Sequence, residues 1–199
     1  MMLNRRLARA AAPLVLALTL AAAPAAAGPA KDLITDLAVK AEPILNDRAQ
    51  PTLERAQKVQ ALLSDLIDRR TMAQSLLGRH WHRATPEQQA ELIDLLESYL
   101  VEGYARRMES VEGQISFQVE QERELGDRTL VDTQVVRPNG PPVAVTWQVE
   151  TVDGKPTVTD IVVEGVSLIV SQRADFASVI RQQGGVDGLI ALLRDKVKQ

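Results

Sequence analysis

The chain of 199 residues has no cysteine. That excludes disulfides, thiolate nucleophiles, cysteine metal ligands and a lipid anchored through an N-terminal thioether. Histidine occurs only at His80 and His82, and aromatic residues make up 3% of the chain. No run beyond the N-terminal region approaches the ~18 consecutive apolar residues of a membrane span. Excess positive charge is also missing, the formal net charge being −3. An acidic chain is a poor candidate for binding nucleic acid or an anionic membrane by bulk charge. There is no phosphate-cradling glycine loop, internal repeat or low-complexity tract.

The N-terminal region is of a different kind. Arg5, Arg6 and Arg9 precede an uncharged apolar run over residues 10–23, and Ala25-Ala26-Ala27 stands before Gly28. This order is that of a secretory signal peptide over residues 1–27, cleaved after Ala27. Its removal takes Lys+Arg from 23 to 20 against 26 Asp+Glu, so the exported chain carries −6. Residues 28–199 suffice for one soluble domain, stabilised by core packing alone.

Helical spacing opens this domain. Leu33, Ile34, Leu37, Ala38 and Ala41 share a face over residues 31–41, and Pro43 is expected to limit that helix. After a polar connector at residues 46–50, Pro51 starts a stripe from Leu53 to Ile67. A shorter helix over residues 70–77 ends at Gly78. Thr85-Pro86-Glu87-Gln88 is a capping box, and the helix it starts runs for more than six turns to about Glu109.

The period then changes to two. Ile115, Phe117 and Val119 alternate with polar residues; Val131, Thr133 and Val135 do so after a Gly126-Asp127 turn. Val143, Val145, Trp147 and Val149 follow the turn at residues 138–142, and residues 157–163 follow Asp153-Gly154. Four strands with short turns predict an antiparallel meander whose buried face is odd-numbered throughout. Residues 160–170 organise the rest: Ile161 to Val163 end the last strand, Gly165 turns the backbone, and Val166, Leu168, Ile169 and Val170 stay apolar. Two helices close the chain, one carrying Phe176, Val179 and Ile180, the other Val186 to Leu193. The fold class expected is α+β: N-terminal helices, a four-stranded antiparallel curved sheet, and C-terminal helices packed on it.

Catalytic chemistry finds little support. His80 and His82 have no third histidine or cysteine to complete a metal site, and they read as surface or core-edge residues. Gly165-Val166-Ser167 resembles a nucleophile elbow only until Ile169, which stands where the motif needs glycine. Ser167 reads better as a helix N-cap. Asp160, Glu164 and Asp175 read as capping or arginine-pairing carboxylates. No enzyme activity, cofactor or metal is expected. The junction is then the wall of an apolar ligand cavity or a filled core, since both need apolar residues at the same spacing.

Several runs resemble the MlaC family, the periplasmic phospholipid-binding component of the Mla lipid-transport pathway, also called the toluene-tolerance family. They are Glu164-Gly165-Val166-Ser167, Gln172-Arg173-Ala174-Asp175-Phe176 and Gly185-Val186-Asp187-Gly188-Leu189-Ile190. Upstream, Leu76-Leu77-Gly78-Arg79-His80-Trp81, Ala84-Thr85-Pro86-Glu87-Gln88-Gln89 and Tyr104-Ala105 match as well. One departure stands out: the family's aromatic lead of the type Trp-x-x-Tyr-Asp is reduced in Lys155–Asp160 to its aspartate.

The resemblance implies a nuclear-transport-factor-like core with acyl chains between sheet and helices. It implies a monomeric periplasmic carrier that shuttles phospholipid and maintains outer-membrane asymmetry. Its partners would be an MlaD-type hexamer of an inner-membrane ABC transporter and an outer-membrane MlaA–porin complex, with no nucleic acid. On this reading the ligand wall comprises Leu96, Leu100 and Tyr104 on the long helix, and Phe117, Val131, Val135, Val145, Trp147, Ile161 and Val163 on the strands. Val166, Leu168, Ile169 and Phe176 complete it past the turn. Alternatives are a hopanoid-associated carrier of a sister group, or a non-lipid adaptor with a filled core.

Overall fold

The computed structural model describes residues 28–109 and 113–198; the expected signal peptide lies outside them. The first helix, α1 (Pro29–Asn46), passes through Pro43 instead of ending before it. A proline deprives the carbonyl four residues back, here that of Val39, of its partner. Val39 is 67% exposed, so the loss falls on the solvent side, and Pro43 itself stands in the last turn. The end of α1 is held by other elements. Arg55 Nη1 donates to the Leu45 carbonyl at 2.7 Å. Asn46 donates to the Ile115 carbonyl at 2.7 Å and accepts the Ile115 N–H at 2.8 Å, as a neighbouring strand would.

Helix α2 (Thr52–Ser64) packs on α1 and is followed by α3 (Arg69–Leu77). Asp68 caps α3 by accepting the Thr71 N–H at 2.6 Å, and hydrogen bonding from the Thr71 side chain, then from its N–H, holds the carboxyl below the usual range. A 3-10 turn, Gly78–Arg83, leads to α4 (Pro86–Glu109). The capping box is present: Thr85 N–H donates to Gln88 Oε1 at 2.9 Å, and Gln88 N–H donates to Thr85 Oγ1 at 3.2 Å.

The sheet comprises β1 (Ser116–Leu125), β2 (Arg128–Val136), β3 (Val143–Val152), β4 (Lys155–Val163) and β5 (Val166–Ser167), antiparallel and in sequence order. The fifth strand corrects the expected four. Glu164 and Gly165 have φ of 50° and 80°, the paired left-handed conformation of a type I′ turn. The chain therefore doubles back, with Val166 opposite Val163 and Ser167 opposite Val162, before α5 (Leu168–Gln182) starts. Helix α6 (Val186–Lys196) follows.

A second correction concerns the sheet's faces. Pairing slips between Val119 and Glu122 and again between Gln148 and Val149. Each bulge adds a residue to one strand and inverts its alternation. Glu122 comes opposite Val131, and Val158 opposite Val149, so past each bulge the even-numbered residues of β1 and β4 join the odd-numbered inner face. Hydrophobic alternation in β1 and β4 is too short on either side of its bulge to reveal the shift.

The apolar interior is divided. One group joins α3, the 3-10 turn, α4, α5 and α6 around Leu77, Trp81, Leu92, Leu96, Phe176 and Leu189. A second packs Ala30 and Ile34 of α1 on Val131, Val149 and Val158 of the sheet. A third joins α1 to α2 through Ala41, Leu45 and Val59, with Phe117 against it. Helix α1 thus covers β1 and β2, whereas α5 lies against β4 and β5.

His80 is buried at the helical group's edge, and its Nε2 has no hydrogen-bond partner among the described residues. Burial, helped by the charges of Arg79, Arg83 and Arg181, holds its pKa below 6.5. Below that pH the unfolded chain takes up a proton that the folded chain resists, so stability is full above it and is lost as pH falls through the folded pKa. We expect the denaturant midpoint to drop between pH 7.5 and pH 5, and the drop to shrink in His80→Gln; an equal drop in the variant would assign it to other groups.

Gly165 provides the test of the turn. A Cβ built there meets nothing within 4 Å, so any cost of substitution is conformational. Gly165→Val should destabilise by ~1–3 kcal/mol because a branched side chain at positive φ is strained, and Gly165→Asn by less. Urea denaturation of both variants measures the difference; equal midpoints would show that the turn does not depend on this conformation.

Candidate functional site

The last strand and the helical layer meet at Asp160. Its Oδ2 accepts the Ser167 hydroxyl at 2.5 Å, and its Oδ1 accepts the N–H groups of Ile161 at 2.8 Å and Ile169 at 3.2 Å. Ser167 Oγ in turn accepts the Val170 N–H at 3.0 Å, which makes it the N-cap of α5. One carboxylate thus takes up free donors of the helix's first turn and places negative charge at its positive end. Next to it, Glu164 fixes the I′ turn. Its N–H donates to the Ala144 carbonyl at 2.9 Å, and its Oε1 accepts the Ala144 N–H at 2.5 Å.

Around this junction the expected wall residues divide by location. Leu96, Ile169 and Phe176 belong to the helical group. Phe176 meets Tyr99 at a ring-centroid distance of 5.9 Å. Trp147 and Ile161 pack with the group under α1, where Val131 is wholly buried. Val131 is therefore packed against α1 and is core as much as wall. Phe117 lies against the α1–α2 group.

The other half of the inner sheet face stands outside these three groups. Val145 is buried there, and Val135 and Val163 are half-buried. Beneath them Thr133 is 2% exposed; its hydroxyl donates to the Val145 carbonyl at 3.1 Å and accepts the Trp147 indole N–H at 3.1 Å. An otherwise apolar face thereby buries a hydroxyl with both its roles filled.

The structure does not bring every expected residue into this face. Val166 is 55% exposed and Leu168 47%, because the I′ turn carries them to the sheet's edge. With Val170, also exposed, they form an apolar rim instead of a continuous wall. Leu100 lies one turn beyond the packed Leu96 and is partly exposed; the Tyr104 side chain lies outside the described residues. Among the described residues, none of those expected lines either of two clefts, one of about 270 Å³ between α2 and α4 and one of about 60 Å³ between α1 and α2.

The model of the MlaC protein family matches residues 38–195. The chain belongs to the MlaC family. Its fold is similar to the three-dimensional structure of a phospholipid-binding protein from Ralstonia solanacearum, determined in complex with a phospholipid at 1.53 Å resolution. The two share 27% sequence identity and a TM-score of 0.75, covering 86% of this chain and 98% of the other.

The MlaC-like sequence runs acquire physical roles here. Gln88 donates to Asp187 at 2.6 Å, joining two of them. Arg173 Nε donates to the Ser75 carbonyl at 2.6 Å and runs past Gly78, which has a φ of 52°. Gln89 donates to the Trp81 and Ala84 carbonyls at 3.0 and 3.3 Å. The runs shared with the MlaC family thus hold the helical layer together and to the sheet; they contribute little to the apolar face itself. Sequence reasoning treated Asp160 as a capping or arginine-pairing group; the cap it makes is on α5, and the retained aspartate of the departing strand motif was the available signal.

Removing that carboxylate tests the junction. Asp160→Ala leaves donors of Ile169 and Ser167 without their acceptor, at a cost of ~1–3 kcal/mol. Amide exchange at Ile169 and Val170 should accelerate together with the fall in denaturant midpoint. Unchanged exchange there would show that α5 is anchored elsewhere.

Proposed function

We propose that this chain binds a phospholipid by its acyl chains, between the outer half of the sheet's inner face and the helical layer. The division of the apolar interior carries this reading: Val135, Val145 and Val163 lie outside the packed groups, while the helical group presents Leu96, Ile169 and Phe176. The phospholipid bound to the Ralstonia protein of similar fold supports it. The headgroup then sits toward the exposed rim of Val166, Leu168 and Val170.

In the fuller proposal the protein is exported through its N-terminal signal and carries lipid through the periplasm. It exchanges lipid with an MlaD-type hexamer of an inner-membrane ABC transporter and with an outer-membrane MlaA–porin complex, and so maintains lipid asymmetry. Burial of a CH₂ group is worth ~0.8 kcal/mol, so exposing two chains of ~15 carbons to water costs about 24 kcal/mol. A barrier of that size permits roughly one escape per day. An apolar face matched to the chains lowers the barrier with no chemical step. Direction then comes from partners of different affinity.

Two carboxylate substitutions separate a ligand wall from a filled core. Val163→Glu places a charge against the acyl chains, where it costs several kcal/mol unless it protonates or reaches water. Val131→Glu places the same charge beneath α1, at a residue with no exposure. We expect Val163→Glu to lose lipid but keep a cooperative thermal transition, and Val131→Glu to lose the transition. Native mass spectrometry and organic extracts of protein purified without detergent give the lipid content. A lipid-free wild type would refute the carrier reading, and a lipid-loaded Val163→Glu would refute this wall.

A further inference from the structure

Glu122 reaches from β1 to the first turn of α1. Its Oε2 accepts the Lys31 N–H at 2.6 Å, while the Lys31 ammonium turns away to the Glu120 carbonyl at 2.5 Å. The β1 bulge creates this contact: without the extra residue, position 122 would keep the parity of the outer face. The carboxylate lies directly against Gly28. A methyl group built on Gly28 would overlap it, with Oε1 the nearest atom. Gly28 has φ −80°, which any residue adopts, so the missing side chain serves close approach and not backbone freedom.

Gly28 is also the residue that follows Ala25-Ala26-Ala27. Cleavage before it converts an amide nitrogen into an ammonium group. Alone, that positive charge would sit unfavourably at the positive end of the 18-residue helix α1. Asp32 in the first turn offsets part of this, and Glu122 places a second carboxylate beside the same Cα.

We propose that Glu122 is the docking partner of the α-ammonium group which cleavage between Ala27 and Gly28 creates. The inference rests on the exported, cleaved form proposed above and assigns its new terminus a partner. Hydrolysis of the peptide bond leaves the Ala27 carboxylate on the released segment and the amine on Gly28, which is protonated at neutral pH. In the precursor the Gly28 nitrogen is an uncharged amide, so this ion pair exists only after processing.

The test uses the full chain, exported and purified from the periplasm. Four proteins form a cycle: wild type, a Ser-Gly insertion between Ala27 and Gly28, Glu122→Gln, and both changes together. Intact mass gives each terminus, and thermal unfolding gives the coupling. The insertion should lower Tm by about 2–4 °C when Glu122 is present, and by much less when glutamine replaces it. Equal shifts in the two backgrounds, or none in either, would overturn the pairing. A wild-type mass that does not begin at Gly28 would overturn the processing site itself, and with it the cleavage position proposed above. Phospholipid content, measured on the same samples, shows separately whether the carrier reading stands.

Discussion

The fold depends on one carboxylate placed where a strand, a two-residue strand and a helix converge. Asp160 accepts from Ser167 and Ile169, and through Ser167 it supports the N–H of Val170. The two bonds to Asp160 are partly buried, so the loss of either acceptor would not be fully replaced by water. The position of α5, and of Phe176 and Ile180 on it, follows from this anchor. Helices α4 and α6 are then located by packing against α5 and each other.

The forces within the layers are unequal. Burial of Leu92, Leu96, Leu189 and Leu193 supplies the bulk of the helical group's stability, at ~1.5–3 kcal/mol per fully buried side chain. The Arg194–Glu91 pair at 2.6 Å joins α6 to α4 at the surface, where such pairs contribute ~0–1 kcal/mol. Asp132 is better placed. Arg123 grips it with Nε and Nη2, Thr146 donates to it, and these bonds hold its carboxyl below the usual range. That network lies on the sheet's outer face and pins three strands in register, whereas the β1 bulge turns Glu122 and Glu124 to the inner side.

Much of this was legible in the sequence, for reasons that differ by element. Helix α4 announced itself because its start is a local motif, Thr85 to Gln88, whose bonds close within four residues. The strands were legible because one side of the sheet is buried over most of its length. The fifth strand was not, because two residues carry no periodicity and Glu164 gives no signal of its positive φ. The bulges escaped because each depends on pairing with a distant strand. Pro43 misled because the helix beyond it is held by Arg55 and by the Asn46–Ile115 exchange, neither of which is local. Among the expected wall residues, Val145 and Val163 fell on the open half of the inner face, whereas Val131 fell under α1; alternation alone treats all three alike.

Helix α1 behaves as a splint cut to length. Both its ends are held to other elements: Glu122 grips the Lys31 N–H, Arg55 the Leu45 carbonyl, and the helix's own Asn46 grips the backbone of Ile115. Eighteen residues at 1.5 Å per residue span about 27 Å, and the clamps sit at fixed places along β1 and α2. One residue more or less would rotate the far end by about 100° and detach a clamp. The helix is therefore constrained to keep its count of residues.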